Sequence, residues 1–239
     1  MKAVIPAAGH GTRFLPVTRV IPKEMLPIGP RPALELIVGE AKEAGADEIV
    51  MVISRGKELI RRYFEDDPAI RFVLQEEQKG LGHAVLQAAD AVGGDGLFLV
   101  LLGDALVAGE NASAELVAMS AAHGGAGVVG LERVPKEKVS RYGIVKMDGD
   151  RIVDMVEKPS PESAPSDLAV AGRYLLDAAV FGLLRTQTPG KGGEIQLTDA
   201  IRRLLAEKPV CGCAYSGKRQ DIGSPKGYFE ALKAMGENG

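Results

Sequence analysis

The sequence predicts an α/β fold built on a largely parallel sheet. Three observations carry that expectation. Apolar runs at 2–5, 49–53, 70–74 and 97–102 lack alternation with polar residues, the pattern of strands buried on both faces. Helical patterns at about 32–44, 56–65 and 82–92 stand between them. Polar or glycine-containing segments bound each run. Strand–helix alternation of this kind builds parallel sheets, whose ligands sit beyond the C-terminal strand ends. The loops 6–16, 75–81 and 103–110 are therefore expected on one rim.

The first strand leads straight into Pro6-Ala7-Ala8-Gly9-His10-Gly11-Thr12-Arg13, and Pro22-Lys23-Glu24-Met25-Leu26-Pro27 follows. Glycine tolerates positive φ and has no Cβ, so Gly9 and Gly11 let backbone N–H groups face outward. A run of such donors holds phosphate oxygens. Arg13 and Lys23 set fixed positive charge beside it. The stretch is not a dinucleotide fingerprint, because Phe14 stands where its third glycine belongs and no acidic ribose ligand arrives. The Walker pattern is absent too.

The second half changes character. Tyr142–Met147 and Arg151–Glu157 flank Asp148-Gly149-Asp150, a hairpin signal. Leu168–Tyr174 reads as a strand, with helices near 177–186 and 194–207 after it. Val210–Tyr215 reads as a last strand, followed by a short loop and a terminal helix from about 225. Residues 158–167, rich in Pro and Ser, read as a loop and not a linker, so 1–239 is expected to be a single domain.

With 46% hydrophobic and 26% charged residues the chain is an ordinary globular one. A net charge of −3 without a basic run argues against nucleic acid as a partner. No apolar run is long enough to span a bilayer and no signal peptide precedes the first strand, which argues against a membrane. Cys211 and Cys213 would share a strand face as reduced thiols, consistent with the cytoplasm.

Asp104 follows a buried strand through Gly103, and Asp221 follows the last strand in Gln220-Asp221-Ile222-Gly223. Each could serve as a turn or cap residue; together they offer two hard oxygen ligands, which with substrate phosphates suit Mg²⁺. Gln75 ends the third strand, and Lys79-Gly80-Leu81-Gly82-His83-Ala84 opens a helix where a ligand can approach the backbone, unless it is a plain turn. His83 reads as a packing or capping residue. Glu157 and Lys158 read blandly as charges leaving a strand.

Gly-x-Gly-Thr-Arg followed by Pro-Lys-x-x-Leu-Pro resembles the signature of the sugar-1-phosphate nucleotidyltransferases. The string Ile21–Pro27 and the segment Gly193-Glu194-Ile195-Gln196-Leu197-Thr198-Asp199 are similar to the bacterial UTP–glucose-1-phosphate uridylyltransferases among them. The resemblance covers 2–107 and 126–232, with the motifs in the family's order. It implies a Rossmann-like, GT-A-like fold with a mixed, mostly parallel central sheet flanked by helices, and a cytoplasmic enzyme. Residues 1–110 would mainly bind the nucleotide and 111–239 the sugar phosphate. The implied reaction makes UDP-glucose and pyrophosphate from UTP and glucose 1-phosphate, with Mg²⁺ on Asp104 and Asp221. Arg13, Lys23 and Asp104 would be catalytic. Ala8, Gly9, Gly11, Thr12, Glu24, Gln75 and Gly80 would bind the nucleotide, with Gln75 and Gly80 at the uracil edge. Gly143 and Glu157 would bind sugar hydroxyls and Lys158 the sugar phosphate, while Thr198 and Asp199 would orient neighbouring groups.

Where the uridylyl relatives more often have Leu-Pro-Asp, 102–104 is Leu-Gly-Asp, and Leu-Gly-Asp also occurs in thymidylyl relatives. The chain is shorter than the usual enzymes, lacking an insertion after 66 and a C-terminal extension. Oligomeric state does not carry over, and a homo-oligomer stays open. Alternatives are thymidylyl transfer to glucose 1-phosphate, uridylyl transfer to another hexose phosphate, and, in another class, a non-catalytic nucleotide-sugar sensor. The intact set Arg13, Lys23, Asp104, Lys158 and Asp221 speaks against the sensor.

Overall fold

Lys2–Pro6 forms the first strand, β1, in a computed structural model that describes residues 1–235. Three 3₁₀ turns at Thr12–Phe14, Val17–Arg19 and Lys23–Met25 carry the loop after it to a two-stranded pairing of β2 (Pro27–Ile28) with β3 (Arg31–Pro32). The order then runs α1 (Ala33–Glu43), β4 (Glu48–Ile53), α2 (Glu58–Tyr63), β5 (Ile70–Leu74), α3 (Leu81–Gln87), α4 (Ala89–Val92) and β6 (Leu97–Leu101). Next come β7 (Ala105–Ala108), α5 (Ala112–Ala122), β8 (Gly127–Arg133), β9 (Gly143–Asp148) and β10 (Arg151–Glu157). The chain continues with β11 (Leu168–Asp177), α6 (Val180–Arg185), α7 (Leu197–Leu204), β12 (Val210–Cys213), β13 (Lys218–Asp221) and α8 (Pro225–Met235).

Nine strands form one sheet in the order β5-β4-β1-β6-β11-β8-β12-β10-β9. Its first four strands pair in parallel. β11 and β10 run against their neighbours and the other seven strands share one direction, so the sheet is mixed and mostly parallel. Successive residues of β1 face opposite sides. Ala3 and Ile5 pack with α1 and α5, while Val4 packs with α3, α4, α6 and α7. Both faces are covered, which is why the strands show no alternation. Burying each Ile, Leu or Val here contributes about 1.5–3 kcal/mol.

Two expected features change. The helical pattern at 82–92 is two helices, α3 and α4, meeting at Ala88. The expected loop 103–110 and the expected loop after 215 instead hold β7 and β13, paired antiparallel as a separate ladder. β13 is Lys-Arg-Gln-Asp, with no apolar pattern to betray a strand. Among the described residues no helix is long and apolar enough to cross a membrane. Cys211 and Cys213 are free thiols on β12.

Candidate active site

Gly11 is the pivot of the first loop. Its φ of 64° is left-handed, and an added Cβ would lie 2.9 Å from Thr18 Cγ2, so both conformation and space demand glycine. Thr18 Oγ1 donates to the Gly11 carbonyl at 2.8 Å. Thr12 and Arg13 follow as an exposed turn, and Arg13 Nη1 donates to the Gly223 carbonyl at 3.4 Å.

Behind this loop lies a cleft of about 350 Å³, at the C-terminal ends of β1, β5 and β6. Ala8, Gly9, Lys23, Glu24, Gln75, Gly80 and Asp104 all line it. Seven expected residues thus converge in one place. Pro6, Gln78, Leu81, Ala84, Leu102 and Glu194 complete the wall.

Lys23 Nζ donates to Asp104 Oδ2 in an ion pair. Burial works against the charge on Asp104, but Lys23 beside it holds the carboxyl below the usual carboxylate range. Burial also opposes the Lys23 ammonium, which Asp104, Glu24 and Asp221 nevertheless keep charged, its pKa above the usual value. Glu24 is buried and accepts a hydrogen bond from the buried Lys57 at 2.7 Å. Nothing in the sequence signals Lys57, which sits 33 residues away from its partner.

Asp221 reaches the same centre through the β7–β13 ladder, where it pairs with Ala105, the neighbour of Asp104. A Cβ on Gly223 would lie 3.0 Å from Asp221 Oδ1 and 3.1 Å from Asp104 Oδ2. The two carboxylate oxygens are therefore within about 6 Å of each other. Asp221 Oδ1 accepts from the Gly223 N–H at 2.9 Å, so the turn aims it. Two carboxylates this close offer hard oxygen ligands of the kind that hold a divalent cation. Among the described residues no group of three His, Cys, Asp or Glu side chains offers a closed metal cage.

Gly103 answers the Leu-Gly-Asp departure. Its N–H donates to the Pro6 carbonyl at 3.3 Å, and a Cβ would lie 2.8 Å from that oxygen. A proline could not make this bond, so the close approach of β1 suits a glycine here.

The residues expected to bind the sugar phosphate form a second cluster. The β9–β10 hairpin sets Gly143 opposite Glu157, and Glu157 Oε2 accepts from Thr198 Oγ1 at 2.6 Å. Glu157 Oε1 lies 3.3 Å from Lys158 Nζ. A Cβ on Gly143 would meet Thr198 Oγ1 at 2.8 Å. Lys158 has a φ of 47°, a conformation that costs a non-glycine residue energy and clusters at functional sites. Its N–H donates to the Tyr142 carbonyl at 2.9 Å, which holds it there.

The segment 193–199 joins the two clusters. Ile195 N–H donates to the Lys79 carbonyl at 2.7 Å and Gly82 N–H to the Ile195 carbonyl at 2.8 Å. Glu194 therefore reaches the cleft while Thr198 reaches Glu157. Asp199 does not touch Glu157 by hydrogen bond; burial and the Glu157 charge push its carboxyl up.

A family model described as Nucleotidyl transferase matches residues 2–238. A UTP–glucose-1-phosphate uridylyltransferase of Bacillus subtilis is 41% identical over 98% of this chain and 89% of its own length. A relative of the same name from Pseudomonas aeruginosa is 38% identical over 99% and 96%. Among solved structures, a UDP-glucose pyrophosphorylase complexed with UDP-glucose superposes with a TM-score of 0.90 at 38% identity, over 98% of this chain and 97% of that one. A UTP-bound UGPase from Acinetobacter baumannii superposes with a TM-score of 0.82 at 35% identity, over 99% and 95%. The family's glycine-rich turn, its Pro-Lys-x-x-Leu-Pro segment and its strand-end aspartate all meet in one cleft here, and with the match running from end to end the chain belongs to the nucleotidyl transferase family.

Proposed function

We propose that this enzyme transfers the uridylyl group of UTP to glucose 1-phosphate, giving UDP-glucose and pyrophosphate. The observation that carries the reading is the convergence of Lys23, Gln75, Gly80 and Asp104 in one cleft. It sits on a chain 38–41% identical over nearly its full length to uridylyltransferases of that name.

An anionic oxygen of the sugar phosphate attacks the α-phosphorus of UTP. The bond to the bridging oxygen of the β-phosphate breaks, and its electron pair leaves with pyrophosphate. No proton need move, so the protein acts by positioning and charge neutralisation. The N–H groups of Ala8, Gly9, Gly11 and Thr12 cradle the phosphates. Lys23 holds the α-phosphate region, and Arg13 neutralises charge on the crowded phosphorus and the departing pyrophosphate. Gln75 and Gly80 read the base edge, with Glu24 fixed nearby by Lys57. Gly143 and Glu157 take the sugar hydroxyls, Thr198 aims Glu157, and Lys158 takes the sugar phosphate. Asp104 and Asp221 would hold a divalent cation, Mg²⁺ in this proposal. When bound, it supplies positive charge to the phosphate oxygens. The free Cys211 and Cys213 suit work in the cytoplasm.

The test is pyrophosphate release with Mg²⁺, crossing UTP, dTTP, CTP, ATP and GTP with the 1-phosphates of glucose, galactose, mannose and N-acetylglucosamine. Release that needs UTP and glucose 1-phosphate together is expected. Preference for another pair would correct the substrates, and a folded protein inert with every pair would defeat the reading.

A further inference from the structure

The amide of Gln75 has a donor side and an acceptor side, and the structure fixes which one the cleft meets. Gln75 is buried, and its Nε2 lies 2.9 Å from His83 Nδ1 and 3.5 Å from the Gly80 carbonyl oxygen. A carbonyl only accepts, so Gly80 keeps the amide nitrogen on the inner side. His83 Nδ1 must then accept as well, which puts the imidazole proton on Nε2. Gln87 Nε2 lies 3.3 Å from that Nε2, and a neutral imidazole can accept from only one of the two amides. Gln87 Nε2 already donates to the His83 carbonyl at 3.1 Å and so has an acceptor besides the ring, whereas the buried Gln75 has the ring as its nearest one. Gln75 Oε1 and the Gly80 N–H take no partner among the described residues, and both residues line the cleft.

We infer that His83 is a positioning residue that turns the Gln75 amide outward by its oxygen, so that Gln75 and the Gly80 N–H present an acceptor and a donor matched to uracil and mismatched to cytosine. The inference rests on the uridylyl reading above. Uracil offers the N3–H donor beside a carbonyl acceptor. Cytosine offers an unprotonated N3, so against Gln75 Oε1 lone pair meets lone pair, and a Gly80 N–H facing the 4-position would meet the amino N–H as well. Turning the amide would reverse the preference at Gln75. Burial and the neighbouring Lys79 push the His83 pKa down, against Glu77, which keeps the ring neutral and able to accept.

The experiment measures kcat/KM for UTP and CTP with glucose 1-phosphate in the wild type, His83→Ala and His83→Asn. Asparagine sets an oxygen near the place of Nδ1. The UTP/CTP ratio should fall about tenfold or more in His83→Ala, the loss of one directed hydrogen bond, and largely return in His83→Asn. A merely structural histidine would lower both nucleotides together, and an unchanged ratio would overturn the inference. The ¹⁵N shifts of the His83 ring in the nucleotide-free wild type read the tautomer without any variant. The Nε2–H form is expected and the Nδ1–H form would overturn the inference. A wild type that turns over no nucleotide would defeat the uridylyl reading, and the ring spectrum would still decide the tautomer.

Discussion

Gly80 shows how tightly single residues are fixed in the cleft. Its φ is 103°, and an added Cβ would lie 2.8 Å from both Glu194 Cβ and the Ile195 carbonyl oxygen. Gly80→Ala is expected to raise KM for UTP at least tenfold, because a strained φ alone costs about 1–3 kcal/mol and the clash shifts the base edge. A KM within twofold of wild type would contradict the fit. Arg13 works differently. It is exposed and held by one long hydrogen bond, so Arg13→Ala should leave thermal unfolding unchanged. It should lower kcat by about 10²–10³, the loss of one preorganised electrostatic contact. Unchanged turnover would remove it from the mechanism. Residues of this kind were legible in the sequence because glycine and cation spacing within a short loop reports local chemistry. Lys57 and Glu194 were not. Their roles come from side chains meeting across long separations, and no local pattern encodes such meetings.

At the scale of elements, the β7–β13 ladder is what brings Asp104 and Asp221 into one site. Each aspartate looked like a turn residue alone, and the ladder was invisible because β13 is polar and β7 only four residues long. The apolar runs and the 148–150 hairpin were legible, since burial on both faces and an Asp-Gly turn leave direct traces. α5 was not, being Ala-rich with apolar residues spread around it. Asp104→Asn should weaken the dependence of turnover on Mg²⁺, shifting the metal titration to higher concentration; a wild-type curve would count against the two-carboxylate site. At the proposed sugar site, α7 delivers Thr198 to Glu157 at 2.6 Å. Thr198→Val keeps the shape and removes the donor. KM for glucose 1-phosphate should rise several-fold while KM for UTP stays put, and equal changes in both would reduce Thr198 to a packing residue.

Across the whole molecule, one sheet carries both residue clusters. β6 pairs with β11, so the strand leading to Asp104 is bonded to a strand from the chain's second half. A buried tie crosses the same junction: Arg173 on β11 is fully buried and donates to both Glu40 oxygens, at 2.8 and 2.6 Å. Burial opposes the Glu40 charge, but Arg173 and Ser113 hold its carboxyl below the usual range. A lowered folded-state pKa means the tie stabilises above the unfolded value of about 4.3 and fades as pH falls through the folded one. Glu40→Ala strands the buried guanidinium and should cost about 3–5 kcal/mol in denaturant unfolding at pH 7. The gap to wild type should shrink in acid, and a pH-independent gap would assign the cost to packing.

In the proposed reaction UTP in the cleft and glucose 1-phosphate at the adjoining Glu157–Lys158 cluster react directly, with no covalent enzyme intermediate. Turnover of UTP bearing a chiral α-thiophosphate tests it most directly. A single in-line displacement inverts configuration at phosphorus, so UDP-glucose of inverted configuration is the predicted product. Retention would mean two displacements and a nucleotidyl-enzyme intermediate, and would contradict the account.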